Sequence, residues 1–557
     1  MEDFMNNFFL KTAGMLCLLL LFAASLTFAG GSTQQVPAGK PTLEIGIMQD
    51  MNVTDYKNNY MTRYLENLHG IDLIFNLLPS VTAEFNTKLS LMAASNDMPE
   101  TIWAPWLTRE QILQYGSEGI FIPLNKYFSD ASKTPYFNQI PQEDRKAILR
   151  DTASADGNVY SFARQNPYIP NQLQFRLFVN QVWLAKLGLE VPKTTDDLRN
   201  VLIAFRDNDP NGNGLKDEIG VYGRFEAGSD DPISTLINSF VFYHRGNPLS
   251  LDASGNNVIA PFTQPAFRQA LQYLNDLFNE GLLDPAVFTV DPQTERAVLN
   301  ANPMVVGMTT FAVMARFPDA LNNPNYLAFL PIIAPLSSPV SPGYSPYMDN
   351  VPLQISYITN KAKNVDLAVK VMDSFYEPTL TLISLWGEEN VDWTRDPARL
   401  KGISNPFVYL GLYPEIKFAL LQRVLTTPGA NKHWMNFNPM YTSAERGSIQ
   451  ELMGDLVSPF NPNNPSDLIP AQLVKDYYPR HPQYLLPQLN YNSADGTTLA
   501  QPITDVNSYV RRSIAEFTIG ARDINSDAAW NAYIKELDNM GLQQWLRISQ
   551  ETYNRQR

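Results

Sequence analysis

Apolar residues recur along this chain with two periods that replace one another in turn. Leu43, Ile45 and Ile47 alternate with their neighbours, which predicts a strand. Met61, Tyr64, Leu65 and Leu68 then fall at helical spacing, and Gly70 supplies the stop. Ile71, Leu73, Phe75 and Leu77 alternate again, Phe85, Leu89 and Met92 mark a second helix, and 101–104 reads as a short strand. This β-α-β-α-β order predicts a parallel sheet. Ligands of such sheets sit beyond the carboxyl ends of the strands, where Trp103-Ala104-Pro105-Trp106 places two indoles.

The alternation of periods continues. Strands are predicted at 159–163, with Arg164 directly after it, and at 175–179. A helix over 181–187 ends at Gly188, and Thr194 or Thr195 caps the next, whose inner face is Leu198, Val201, Leu202 and Phe205. Pro265 opens a helix with Phe267, Leu271, Leu274 and Phe278 inside. Strands follow at 304–308, 326–333 and 353–359, then a helix burying Leu367, Ala368, Val371 and Phe375. The Pro-, Asn- and Tyr-rich stretch 405–502 predicts short helices and long loops. The tail is helical, with stripes Val506, Tyr509, Val510, Phe517 and then Trp530, Tyr533, Ile534, Leu537, followed by Leu542, Trp545 and Leu546.

Between the helix of Leu198 and the next elements lies 209–218. Asp209, Asn211, Asn213 and Asp217 place oxygens on alternate positions, Glu218 follows, and Gly212 and Gly214 permit the reversal. A hard cation such as Ca²⁺ takes about 6–8 oxygens, and loops of this kind add one backbone carbonyl, here that of Leu215. Gly220 stands where an EF-hand carries its twelfth-position glutamate, so Glu218 takes the bidentate role. The competing reading is a solvated Asn/Gly turn.

The chain has 557 residues, room for two or more domains, and a net charge of −14. With no basic run, nucleic acid is excluded as a partner. The sole cysteine, Cys17, excludes disulfides, Cys-ligated zinc and cysteine catalysis. The apolar run 16–28 follows Lys11 and ends in Thr27-Phe28-Ala29, a signal peptide cut after Ala29, with an uncleaved anchor as the alternative. A polar tether, 30–40, separates it from the folded part.

Several segments together carry a family resemblance: 178–189 and Pro192-Lys193-Thr194 running into 209–219, then 273–285, Ile358-Thr359-Asn360-Lys361 and 386–393. In this order they resemble family 1 extracellular solute-binding proteins of bacterial ABC importers, in particular the calcium-containing, oligosaccharide-binding branch that includes alginate-oligosaccharide binders. The resemblance covers nearly all of the mature chain. It implies an α/β periplasmic-binding-protein-like fold: two lobes of parallel or mixed sheets flanked by helices, a ligand cleft between them, and a helical C-terminal tail. Residues 41–166 with 351–430 would form lobe 1, and 167–350 with 431–557 lobe 2. The crossings would lie near 164–171, near 347–352 and after Trp393. It further implies a structural Ca²⁺ on Asp209, Asn211, Asn213, the Leu215 carbonyl, Asp217 and Glu218. Many relatives carry a lipidated cysteine after the signal; Phe28-Ala29-Gly30-Gly31 has none, so a soluble periplasmic or extracytoplasmic monomer is expected, working with the transmembrane subunits of a permease.

Sugars present apolar C–H faces and hydroxyl rims, so their sites need aromatic platforms and convergent polar groups. Trp393, Trp103, Trp106 and Trp386 are the candidate platforms; Trp183, Trp530 and Trp545 lie on apolar helix faces and belong to the core; Trp434 is open. Arg164, Tyr347 and Asp349 at the expected crossings, with Asp392 and Glu389, are the candidate polar contacts. The expected function is capture of an oligosaccharide by lobe closure, without chemistry on it. The rival is a secreted glycan hydrolase, which needs a carboxylate pair across the bond; Asp392 with Glu388 or Glu389 is the pair available. A sensory or adhesion protein on the same fold is a third reading.

Overall fold

A computed structural model of the chain describes residues 39–557 except 167, 174, 226–230, 245, 312–315, 321, 346–351, 435–437 and 443–450. The strands are β1 Thr42–Met48, β2 Asp72–Leu78, β3 Thr101–Trp103, β4 Ser161–Gln165, β5 Leu177–Val179, β6 Ile219–Val221, β7 Ser250–Leu251, β8 Val258–Ile259, β9 Val306–Thr310, β10 Leu353–Ile358, β11 Trp393–Thr394, β12 Phe418–Leu420, β13 Met440–Tyr441 and β14 Met453–Asp455.

Six of them form a mixed sheet in the order β13-β4-β10-β3-β1-β2. Only β10 runs against its neighbours, so the predicted parallel β1–β2–β3 core is present. The carboxyl ends of β1, β2, β3, β4 and β13 and the amino end of β10 therefore share one edge. A second sheet, β5-β9-β6, has β9 parallel to β6 and antiparallel to β5. The carboxyl ends of β6 and β9 share an edge with the amino end of β5. The chain leaves the first sheet at Gln165 and joins the second at Leu177, from one such edge to the other.

Local chemistry accounts for these elements. The helix Tyr60–His69 is capped by the Asn59 side chain and closed by Gly70 in the left-handed region, the asymmetry that caps favour. Thr194 and Asp197 form a reciprocal capping box on the helix Thr195–Asp207, worth about 1 kcal/mol. Leu43, Ile45 and Ile47 pack with Leu65, Phe85 and Ile102 in a first core. A second core holds Leu198, Leu202 and Phe205 with the tail residues Val506, Tyr533 and Trp545. A third, around Phe178, Phe311 and Tyr326, covers the other face of the second sheet. Trp183, Trp530 and Trp545 are buried, as their helical faces imply.

Three expectations need correction. The stretch 326–333 is not a strand: Asn323 caps a helix, Pro324–Ala328, with Pro324 at its first position, a stronger local signal than the apolar run. The first core runs past residue 430, because Trp434 and Met440 pack within it and β13 pairs with β4. The chain passes to the third core only beyond β14, where Ile469 and Leu473 join it. The stretch 405–502 contains β12, β13, β14 and the helix Pro465–Gln472, strands too short to show a period. The expected signal segment and most of the tether, 1–38, lie outside the described residues.

Candidate ligand cleft

On the edge of the first sheet, the two indoles of 103–106 separate. Trp103 lies inside β3, paired with Ser356, and the pleat directs its ring inward. Its Nε1 donates to Thr101 Oγ1 at 3.0 Å, and the ring packs against Phe375 and Trp434. A fully buried ring offers no face to a sugar, so Trp103 is core. Trp106, beyond the end of the strand, is 51% exposed. Next to it the Thr108–Gln111 capping box fixes the helix Arg109–Ser117. A crevice of about 370 Å³ opens here, lined by Leu107, Arg109, Leu353, Gln354 and Gln488 among others. Arg164 sits on β4 opposite both Leu353 and Met440; burial lowers its pKa to about 10.

At the corresponding edge of the second sheet, three arginines flank the strands: Arg176 before β5, Arg224 after β6 and Arg316 after β9. Arg176 donates to the Pro170 and Leu173 carbonyls, and burial lowers its pKa. Arg224 Nε donates to Glu295 Oε2 at 2.7 Å, and Arg316 Nη1 lies 3.4 Å from the same oxygen. Glu295 stands in the helix Pro292–Leu299, which Asp291 caps. Thr310 Oγ1, at the end of β9, is buried without a hydrogen-bond partner among the described residues.

Between the edges, the crossing segment carries polar groups with nothing to bond. Gln172 is 7% exposed, and neither end of its amide has a hydrogen-bond partner among the described residues. Gln165 Oε1 is in the same state. Such groups cost about 1–3 kcal/mol each unless water or a ligand satisfies them. None of Arg176, Arg224, Arg316, Glu295 or Gln172 stood out in the sequence. No periodicity pointed to them: Arg224 follows Val221 by three positions and Arg316 follows Thr310 by six.

The 386–395 segment is a self-satisfied turn and not a sugar platform. Trp393 is fully buried, its Nε1 donating to the Gly387 carbonyl at 2.9 Å. Trp386 packs in the first core, with Nε1 lacking a partner among the described residues. Asp392 accepts from the Glu388 N–H at 2.8 Å and lies 3.4 Å from Lys432 Nζ. Gly387 is required here, since its φ is +82° and a Cβ would stand 2.5 Å from Asp392 Oδ2. Glu389 takes a two-pronged bond from Arg395, at 2.8 and 2.7 Å, which lowers its pKa. A general acid needs the opposite shift. So neither carboxylate reaches toward a ligand or suits the hydrolase reading. Tyr347 and Asp349 lie outside the described residues.

The 209–218 loop lies at the other end of β6 from Arg224. Asp209, at φ +46°, accepts from the Gly212, Asn213 and Gly214 N–H groups at 2.9, 3.1 and 2.9 Å. The Asn211 and Asn213 amides each donate to Asp217 at 2.9 Å. Neither Glu218 oxygen makes a well-formed hydrogen bond among the described residues. Among the described residues no three His, Cys, Asp or Glu side chains gather as a metal cage.

No family model matches the chain. It is 25% identical over 488 residues to the fructooligosaccharide ABC transporter substrate-binding protein FusA of Streptococcus pneumoniae serotype 4, spanning 85% of this chain and 83% of FusA. A solved extracellular solute-binding protein from Bifidobacterium longum subsp. infantis matches with a TM-score of 0.70 at 19% identity, covering 93% of this chain and 98% of that one. FusA with kestose matches with a TM-score of 0.64 at 20% identity, covering 92% and 99%. A form of FusA is described as an EF-hand mutant. The alginate-binding protein AlgQ2, solved without calcium ion, matches with a TM-score of 0.58 at 21% identity, covering 93% and 99%. The chain thus has the α/β fold of the extracellular solute-binding proteins of ABC transporters. FusA is named as a binding protein, not as an enzyme.

Proposed function

We propose that this chain is the extracytoplasmic solute-binding component of an ABC transporter, and that it captures an oligosaccharide between the two facing sheet edges and presents it to a permease. The observation that carries this reading is a set of buried polar atoms with no hydrogen-bond partner among the described residues: Gln165 Oε1 and the Gln172 amide on the crossing segment, and Thr310 Oγ1 at the end of β9. A glycan supplies both donors and acceptors at close spacing, which an amide with two unmet ends requires. Trp106 supplies the aromatic face and Arg164 a polar contact. Two bodies, divided near the crossings and closing about them, would complete the cleft.

We further read 209–218 as a structural Ca²⁺ loop. Asp209, Asp217, Glu218, the Asn211 and Asn213 amides and the Leu215 carbonyl are hard oxygen ligands of the type Ca²⁺ takes. Burial first, and then the Asp217 and Asp209 charges, raise the pKa of Glu218, a cost that a bound cation reverses. The ion would fix the start of β6, away from the sugar.

Isothermal titration against a panel of neutral and acidic oligosaccharides tests the reading, with chromatography of the recovered glycan. Binding of an intact glycan, weakened about tenfold or more by Gln172→Ala, is the expected outcome. Cleavage of the glycan, or binding indifferent to Gln172 and Trp106 together, counts against it.

A further inference from the structure

The side chain of Asn490 joins elements of two separate cores. The helix Leu542–Gln556 buries Trp545, Ile548 and Tyr553 in the second core. Its Gln556 brackets the loop at Asn490: Oε1 accepts from the Asn490 N–H at 2.8 Å, and Nε2 donates to the Gln488 carbonyl at 3.1 Å. The Asn490 amide then reaches the other way. Its Nδ2 donates to the Ala153 carbonyl at 3.0 Å, and its Oδ1 accepts from Arg109 Nη1. Arg109 Nη2 donates in turn to the Asp151 carbonyl. Arg109 opens the helix Arg109–Ser117, which buries Ile112 and Tyr115 in the first core. Asp151 and Ala153 close the helix Gln142–Thr152, which buries Ile148 there. Asn490 and Arg109 thus satisfy carbonyls that a helix end leaves open.

A cap from a neighbouring turn would serve that helix alone. This one is supplied from the other core. Both ends of one short amide are engaged, and such bonds hold only over about 2.7–3.2 Å, so the bridge fixes a spacing. Its backbone cannot yield, because Gln556 holds it from behind. The crevice of about 370 Å³ beside Trp106 is lined by Arg109 on one side and Gln488 on the other, residues that flank the same bridge. The spacing of the two cores here is therefore the width of the crevice.

We propose that Asn490 is a positioning residue for glycan capture: bonded to Gln556 behind it and to Arg109 and Ala153 in front, it holds the free chain at the crevice width a glycan needs. This rests on the solute-binding reading above and adds to it a residue that acts on the site through Arg109 and Gln488. A free chain already at that width binds with its intrinsic affinity, whereas one that samples other widths binds more weakly in proportion to the fraction of chains that are competent.

Double electron–electron resonance reads the bridge without any ligand. Spin labels at Leu91→Cys and Val182→Cys, on a Cys17→Ser background, report on the two cores: both positions are exposed, on helices whose Leu89 and Met92, and Trp183 and Leu184, pack in the first and second core. The wild type should give one narrow distance, and Asn490→Ala a distribution at least about twice as wide. The oligosaccharide of the titration panel that binds the wild type most tightly is the second probe. It should bind Asn490→Ala at least about fivefold more weakly, mainly through slower association, and should narrow the variant's distance distribution again. Gln556→Ala leaves every contact of the first core in place and guards against misfolding; it should move both readouts the same way by less. A lower Tm with unchanged distances and affinity would make Asn490 a helix cap only and overturn the proposal. Tighter binding by Asn490→Ala would also overturn it, because the bridge would then hold the crevice at the wrong width. If no glycan binds the wild type, the transporter reading falls and takes the capture role with it, whereas unchanged distances in Asn490→Ala refute the bridge itself and leave the transporter reading intact.

Discussion

Replacing Glu218 by glutamine should change stability in opposite directions with and without Ca²⁺. Neither carboxylate oxygen of Glu218 makes a well-formed hydrogen bond among the described residues; the nearby Glu218 and Asn211 N–H groups only moderate the rise of its pKa. A neutral polar group in that state costs about 1–3 kcal/mol, and a charged one more. Asp217 and Asp209 add repulsion. Without an ion the wild-type chain bears all of this. Glutamine keeps the shape and removes the charge, so in EDTA Glu218→Gln should be the more stable form by about 1 kcal/mol. With Ca²⁺ the order reverses. An ion at a hundredfold excess over its Kd stabilises the wild type by about 2.7 kcal/mol. A hundredfold loss of ion affinity in the variant, the bidentate carboxylate being gone, forfeits about 2.3 kcal/mol of that and leaves the wild type ahead by about 1.3 kcal/mol. If about 500 residues unfold together, at roughly 2.1 cal/mol/K each, 1 kcal/mol moves Tm by about 1 °C. Scanning calorimetry in EDTA and in Ca²⁺ would therefore show curves that exchange order, displaced by about 1 °C each way. Ca²⁺ titration calorimetry would show the weaker ion directly. A variant less stable than wild type by the same amount in both buffers would refute the reasoning, because Glu218 would then be serving the fold and not an ion.

Trp106→Ala should weaken glycan binding by about 1–2 kcal/mol and leave the Tm of the unliganded chain nearly unchanged, since the ring is half exposed; a large fall in Tm would return Trp106 to the core. Trp393→Ala should do the reverse, costing about 3–5 kcal/mol of stability with little change in affinity, as urea unfolding and titration would show. Asp373 is buried, which raises its pKa from 3.8 to about 6 although the Tyr136 and Phe137 N–H groups oppose the shift. Between those two values the folded chain holds a proton that the unfolded chain has released. Stability should therefore fall as pH rises from about 4 to 6 and stay lower above it, by roughly 2–3 kcal/mol. Urea midpoints of wild type and Asp373→Asn across pH 4–7.5 check this; parallel curves would discount it.

What the sequence discloses here depends on whether the signal is local. The 209–218 loop is legible because its ligand set, its glycines and its turn all lie within ten consecutive positions. β1, β2 and the capped helices are legible for the same reason. The cleft is not. Trp103 and Trp106 look equivalent in sequence, but one is inside a strand whose pleat points it at Phe375 and Trp434, and the other is past the strand end. Position along the chain gave their neighbourhood without giving the face. Arg224, Glu295 and Arg316 are brought together only by the pairing of β6 with β9 and by the helix beneath it, contacts no periodicity encodes. The two kinds of site stand at opposite ends of β6: Glu218 immediately before it, Arg224 just beyond it. That separation has a physical consequence. An ion at one end of so short a strand can stiffen the other end through the backbone, yet it is too far from the arginines to share a ligand with them. Removing Ca²⁺ should therefore lower glycan affinity modestly, through looser placement of the far end of β6, and should leave the order of preference among glycans unchanged. If chelation re-ordered the preference among glycans, the ion itself would have to be part of the ligand site, and the separation of the two functions along β6 would be wrong.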